Sequence, residues 1–322
     1  VCRMKPLVLF VTIGAIAMTG CATMGRTGRR DSGIDVVAHR GASAKAPENT
    51  LAAFRLAQEL KADWFELDCT LTKAGEVICI HDGTVDRTTN AKGEVSRMAL
   101  AALKKLDAGT WKHPDYAGEP LPTLAETLDF AKGKIGVYIE IKDSADDAEP
   151  EQAILDRARD IPALTPEQGA EILALIANSG SRNYELTQKV IRLVRERKMD
   201  KQVVVQSFSP VCCAVAKLSV PGLRVEFLSG LKAEEHDKWE QGARWVFLLG
   251  LDGWNANAEG ITPGRLAAMQ AAGRSIAVWT VDEIPDMRQF AALGVNAIIT
   301  NRPDAALRLL EELDQLPIAG PN

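Results

Sequence analysis

The sequence predicts an α/β protein folded as a closed TIM (β/α)8 barrel, with a β-hairpin and two insertions at the rim where its strands end. Short apolar, β-branched runs alternate with longer amphipathic stretches over nearly the whole chain, which is the signature of βα units around a parallel sheet. Eight such runs can be counted, enough to close a barrel. At 322 residues and 46% apolar composition the chain can bury one large core, and α/β barrels of this length form single domains.

The segment ahead of the first strand reads as an export signal. Met4, Lys5 and Pro6 lead into the apolar run Leu7 to Met18, and the small residues Thr19 and Gly20 precede Cys21. This run is too short to cross a bilayer core of about 30 Å as a helix, so cleavage is expected instead of a permanent anchor. Ala17-Met18-Thr19-Gly20-Cys21 resembles a bacterial lipobox, with Met18 where Leu is usual, so Cys21 is the expected lipidation site; a plain secretory signal cut near Ala22 is the alternative. The expected organisation is a signal peptide over 1–20, a Gly- and Arg-rich tether over 21–33, the barrel over 34–310 and a tail over 311–322. The expected location is the periplasmic side of a bacterial cell envelope, held to the membrane by the lipid, with a secreted or soluble periplasmic protein as the alternative.

Candidate strands are Ile34 to His39, Trp64 to Asp68, Val137 to Ile141, Val203 to Ser207, Arg224 to Leu228, Trp245 to Leu249, Ile276 to Thr280 and Ala297 to Thr300. Helical patterns lie between them at Thr50 to Leu60, Thr123 to Lys132, Tyr184 to Arg197, Pro263 to Ala272 and Ile284 to Leu293, with starts marked by Asn49-Thr50 and Thr262-Pro263. A ninth run, Val77 to Ile80, follows too soon for a parallel crossover and must fold back as a hairpin. A two-residue turn at Ala74-Gly75 sets His81 opposite Asp68, within about one residue of slip. The segments 83–120 and 143–183 fit no βα unit and read as insertions; the second, after the Glu140 strand, is expected to overhang the site and influence substrate choice.

The formal charge is −5, becoming −7 once Arg3 and Lys5 are removed, with basic residues scattered among acidic ones. That balance excludes nucleic acid as a partner. Of the six cysteines, Cys69, Cys79, Cys212 and Cys213 remain in the barrel and read as small buried residues. The predicted hairpin puts Cys69 and Cys79 on opposite faces, where a bridge would be strained.

The chemistry gathers at predicted strand ends, where barrel active sites lie. His39 and His81, two of only four histidines, each close an apolar strand beside a charged residue, which points to acid–base catalysis; His113 and His236 are assigned to an insertion and to the surface. Glu66 and Asp68 are two apart on a strand and share a face, and two carboxylates there need a cation. Glu140 and Lys142 repeat the spacing, so Glu140 can complete an oxygen site suited to Mg²⁺ or Ca²⁺ while Lys142 meets a phosphate. Mutual neutralisation with Arg40 and Lys142 is the plain alternative.

In their order along the chain, His39-Arg40-Gly41, Pro47-Glu48-Asn49-Thr50, Glu66-x-Asp68, His81-Asp82, Glu140-Ile141-Lys142, Gln206-Ser207-Phe208 and Val278-Trp279-Thr280-Val281-Asp282 resemble the glycerophosphodiester phosphodiesterase family, over about residues 34 to 308. The resemblance implies a TIM barrel that hydrolyses glycerophosphodiesters to sn-glycerol 3-phosphate and an alcohol, with one divalent ion and a histidine pair. It implies that the glycerol 2-hydroxyl attacks to form a cyclic phosphate, that Arg40 and Lys142 offset phosphoryl charge, and that Trp279 walls the glycerol carbons, with Gln206 a polar counterpart. The family's usual Thr-Asp-x-Pro is Thr300-Asn301-Arg302-Pro303 here, a peripheral departure on this reading. Two other functions share these residues: phospholipase D-like action on lysophospholipids or sphingolipids, which wants an apolar rim such as Leu248, Leu249, Leu251 and Trp254, and non-catalytic capture of phosphodiesters.

Overall fold

A computed structural model describes residues 32–142 and 147–315; the predicted signal peptide, Cys21, most of the tether and the end of the tail lie outside the described residues. The elements run β1 (Asp35–Ala38), α1 (Leu51–Glu59), β2 (Trp64–Leu71), β3 (Val77–Cys79), α2 (Leu100–Leu103), α3 (Leu124–Ala131), β4 (Gly136–Ile141), α4 (Ala148–Arg157), α5 (Pro166–Asn178), α6 (Arg182–Glu196), β5 (Val203–Ser207), α7 (Pro210–Ser219), β6 (Arg224–Ser229), α8 (His236–Leu248), β7 (Gly253–Asn257), α9 (Pro263–Ala271), β8 (Ser275–Trp279), α10 (Ile284–Leu293), β9 (Ala297–Thr300) and α11 (Pro303–Asp314). The parallel strands pair in the order β1-β9-β8-β7-β6-β5-β4-β2, and β1 pairs with β2 to close the barrel.

Strand alternation sorts the core into two layers. Val137, Ile139 and Ile141 point outward under the helices, as do Phe65, Leu67 and Cys69 of β2. Val37, Tyr138, Val204, Ala277, Ala297 and Ile299 fill the barrel interior. Glu66, Asp68 and Glu140 have the interior parity of Tyr138, so the sequence period itself sends them to the barrel axis. The start signals hold: Thr50 caps α1 by accepting from Ala53 N–H, and Thr262 caps α9 with Pro263 in its first turn. The insertion over 83–120 packs its own small core of Val85, Val95, Leu103 and Ala108 onto Ile78 and Ile80. The insertion over 143–183 supplies α4, α5 and the start of α6, and α11 runs four residues into the segment assigned to a tail.

Three expectations need correction. Trp245 to Leu249 is not a strand but the end of α8, whose buried Trp239, Gly242, Trp245, Val246 and Leu248 follow helical spacing, and Gly250 at φ 63° ends it. The missing strand is β7, Gly-Trp-Asn-Ala-Asn, where Gly253 leaves room for Ser275: a Cβ there would lie 2.1 Å from Ser275 Oγ. The hairpin closes through Lys73, Ala74 and Gly75, with Gly75 N–H donating to Thr72 O and Gly75 at φ 83°. That third loop residue slips the register by one, so Cys69 pairs with Cys79 and Asp68 meets Ile80, whose N–H donates to the Asp68 carbonyl. The two cysteines therefore share a face; both are buried thiols, pushed upward in pKa chiefly by that burial. The expected rim patch also fails, since Leu248, Leu249, Leu251 and Trp254 are all buried.

Candidate active site

The strand ends bring His39, Arg40, Glu66, His81, Glu140, Lys142, Gln206 and Trp279 around one cavity of about 110 Å³, with Phe208, Leu228 and Ile299 completing its wall. Asp68 lies beneath, 1% exposed. Every barrel residue proposed from sequence as catalytic, metal-holding or substrate-binding is thus in one place.

After β1 the chain turns sharply. Arg40 at φ 54° and Gly41 at φ 81° take left-handed conformations, and a Cβ on Gly41 would lie 2.6 Å from Ala53. The turn aims the Arg40 N–H at Glu66 Oε2, 2.8 Å away. The side chain of Arg40 runs to Glu48 at 2.8 Å and approaches Asp68 at 3.3 Å. Asn49, at φ 57°, contributes more than a helix start: its amide donates to Asp68 Oδ2 and accepts from Asp68 N–H.

Among the described residues, Glu66, Asp68 and Glu140 form a cluster whose ligand oxygens all lie within 4.8 Å of one another. Glu66 Oε1 is buried and accepts no hydrogen bond. Burial, then the charges of Asp68 and Glu140, holds Glu66 well above the ordinary carboxyl range. Burial and Asp68 push Glu140 up to about 7. For Asp68 burial acts upward too, but Lys142 at 3.5 Å and Arg40 outweigh it and keep that carboxyl low. Lys142 lies 2.7 Å from Glu140. Around the cavity the five carboxylates of Glu48, Glu66, Asp68, Asp82 and Glu140 face the three fixed cations of Arg40, Arg87 and Lys142. An orphaned oxygen, two carboxyls driven toward protonation and an excess of two negative charges fit a divalent hard cation. Mutual neutralisation alone, the plain alternative, leaves all three features unaccounted for.

The two histidines are oriented differently. His39 Nδ1 lies 2.8 Å from Asn301 Oδ1. The Asn301 amide nitrogen donates to Asp282 Oδ2 at 2.6 Å, and a carboxylate can only accept, so Asn301 Oδ1 must face the imidazole. His39 therefore carries its proton on Nδ1 and keeps a lone pair on Nε2. Burial and the neighbouring Arg40 hold its pKa below the usual histidine value. His81 Nδ1 instead lies 2.7 Å from Asp82, a carboxylate that its hydrogen bonds from Arg87 lower to about 2. Arg87 spans Asp82 and Glu48, so a continuous ionic chain links His81 back to Arg40.

Asn301 is therefore not peripheral: it fixes the tautomer of His39. Its place beside Asp282 and after β9 was readable from the strand-end pattern; nothing in the sequence marked Arg87, which comes from the insertion. Trp279 lines the cavity while donating to the Asn255 carbonyl at 3.0 Å, and meets Phe208 edge to face with ring centroids 5.7 Å apart. Gln206 accepts from Asn255 and is 2% exposed, which makes it part of the wall rather than a free binding group. His113 lies in the 83–120 insertion and His236 opens α8 on the surface, as expected.

Comparison with known proteins agrees with this geometry. Residues 39–305 match the model of the glycerophosphoryl diester phosphodiesterase family. A glycerophosphodiester phosphodiesterase of Caldanaerobacter subterraneus is 31% identical over 86% of this chain and 98% of its own, and a Bacillus subtilis glycerophosphodiester phosphodiesterase is 29% identical over 84% of each. Among solved structures, an Oleispira antarctica phosphodiesterase in complex with the product sn-glycerol 3-phosphate superposes with a TM-score of 0.68 at 22% identity, covering 86% of this chain and 96% of that one. A glycerophosphodiester phosphodiesterase of Agrobacterium tumefaciens gives 0.64 at 27% identity, covering 85% and 99%. The fold is thus the TIM barrel these proteins share, and the chain belongs to the glycerophosphoryl diester phosphodiesterase family, as an enzyme.

Proposed function

We propose that this enzyme hydrolyses glycerophosphodiesters to sn-glycerol 3-phosphate and an alcohol, using His39 as the base and His81 as the acid of the first step. The observation that carries the assignment is the unlike backing of the two rings. His39 rests on a neutral amide in a buried site, which favours the neutral imidazole with Nε2 open to take a proton. His81 rests on Asp82, whose charge offsets that of a protonated ring.

In this reading the glycerol 2-hydroxyl attacks phosphorus as its proton passes to His39 Nε2. The bond from phosphorus to the leaving alcohol breaks, and His81 protonates that oxygen. This leaves a cyclic glycerol phosphate, which water opens with the roles of the two rings reversed. Glu66, Asp68 and Glu140 would hold the divalent ion, Ca²⁺ or Mg²⁺, which supplies Lewis-acid stabilisation of the phosphoryl charge. Arg40 and Lys142 add fixed positive charge beside the same oxygens. A substrate analogue lacking the 2-hydroxyl tests this route. It should bind and remain uncleaved, with phosphorus NMR showing a transient cyclic phosphate only from the intact substrate; cleavage of both at similar rates would reject the internal nucleophile.

A further inference from the structure

A second depression adjoins the catalytic cavity. It is a groove of about 310 Å³ between the ends of β5 and β6 and one side of α8, with Phe208, Pro210, Phe227, Leu228, Leu231 and Trp245 in its walls. Phe208 and Leu228 line both spaces, so the groove continues the cavity rather than standing apart from it. Phe208 is 38% exposed, one of three large apolar side chains left in water among the described residues, and it stands at the junction. Because Phe208 stands where the cavity and the groove meet, an apolar arm leaving the cavity would cover it.

The charges at the groove do not favour a small cationic headgroup. Lys238 is paired with Glu235 at 2.6 Å, and Glu151 is the single carboxylate in a wall made mostly of apolar side chains, too little negative charge for a cationic cage. Glu151 reaches the groove from α4, so among the described residues the insertion over 143–183 helps bound this neighbouring space.

We infer that the groove is a leaving-alcohol subsite that takes an alkyl or aryl chain. This rests on the hydrolysis given under Proposed function, with the glycerol set against Trp279 as the family resemblance implies and as the place of Trp279 in the cavity wall allows. Since Trp279 contacts Phe208 edge to face, the other ester arm then crosses Phe208 and Leu228 into the groove. Substrates with extended apolar alcohols are therefore preferred to those with compact polar ones. The preference lies in binding: contacts remote from the reacting atoms, made equally in ground and transition states, lower KM and leave kcat unchanged.

The test uses the ethyl, butyl and octyl monoesters of sn-glycerol 3-phosphate at monomeric concentrations, beside glycerophosphocholine. Each buried methylene is worth up to about fourfold in affinity, and an open groove delivers part of that, so KM should fall at least about tenfold from ethyl to octyl at constant kcat. Gln241→Trp, a change at an exposed α8 position on the groove edge, should bring the octyl KM back to within about twofold of the ethyl value and leave the ethyl ester unaffected. Hydrolysis of all four substrates with a flat KM series overturns the subsite and leaves the hydrolase reading intact. A falling series that Gln241→Trp does not flatten also overturns it, because the chain is then bound elsewhere. Hydrolysis of none overturns both.

Discussion

Removing the cation should make stability depend on pH, with Glu140 carrying part of that dependence beside Glu66. Without an ion, burial and the Asp68 carboxylate raise the Glu140 carboxyl to about 7, from an unfolded value of 4.5. A carboxyl whose folded pKa is raised contributes stability that is fully present below the unfolded pKa and is lost as pH rises through the folded one. The shift corresponds to about 3 kcal/mol lost between roughly pH 4.5 and 7. Glu140 is 8% exposed, so solvent screening removes little of this. A bound cation favours the ionised carboxylates and abolishes the loss. The assay is unfolding in chelator and in millimolar divalent cation at pH 5 and pH 8. Cation should raise Tm by roughly 5–10 °C more at pH 8 than at pH 5. Glu140→Gln in chelator should make the downward slope between those pH values shallower, the remainder coming from Glu66, in a comparison where the opposite titration of His39 cancels. Equal slopes in parent and variant, or a cation effect independent of pH, would refute the electrostatic account of the cluster.

Other changes test other parts of the site. Asn301→Asp places a carboxylate behind His39, which raises the pKa of a ring now held low; the acidic limb of the kcat/KM profile should move up by about one pH unit, so activity falls about tenfold at the acid end and little at pH 8. An unmoved limb would show that Asn301 does not govern the base. Gly41→Ala forces a Cβ within 2.6 Å of Ala53 at φ 81°, and should lower unfolding free energy by about 2 kcal/mol or more, read from the denaturant midpoint; an unchanged midpoint would contradict the packing. Cys21→Ala should abolish incorporation of labelled fatty acid into the exported protein, and equal labelling of both forms would remove the lipid-anchor expectation.

The parts legible in the sequence are those where charge interrupts an apolar strand. Glu66, Asp68 and Glu140 sit at even spacing among apolar strand neighbours, with Lys142 continuing the period just past β4, so strand parity directs the carboxylates to the barrel interior. The opposite case is β7: Asn255, which donates to Gln206, Asn257, which accepts from Glu259 N–H, and Gly253, which leaves room beside Ser275, hide a central strand, while the apolar Trp245 to Leu249 imitates one. The Cys69–Cys79 pairing depended on a single loop residue, which spacing does not resolve. Arg87 was illegible because its partners Glu48 and Asp82 lie 39 and 5 residues away and meet it only after the insertion folds over the mouth. The groove was illegible for a related reason, since it is built from four separate segments that no local pattern connects.

Cation-dependent acid–base cleavage at this cluster is decided by the release of sn-glycerol 3-phosphate from glycerophosphocholine by protein beginning after Cys21, with Ca²⁺ or Mg²⁺ and with chelator, beside His39→Ala and His81→Ala. Release should require a cation and fall by about 10²–10⁴-fold in each histidine variant while folding is retained. Release that persists in chelator, or at parental rate in either variant, would contradict it.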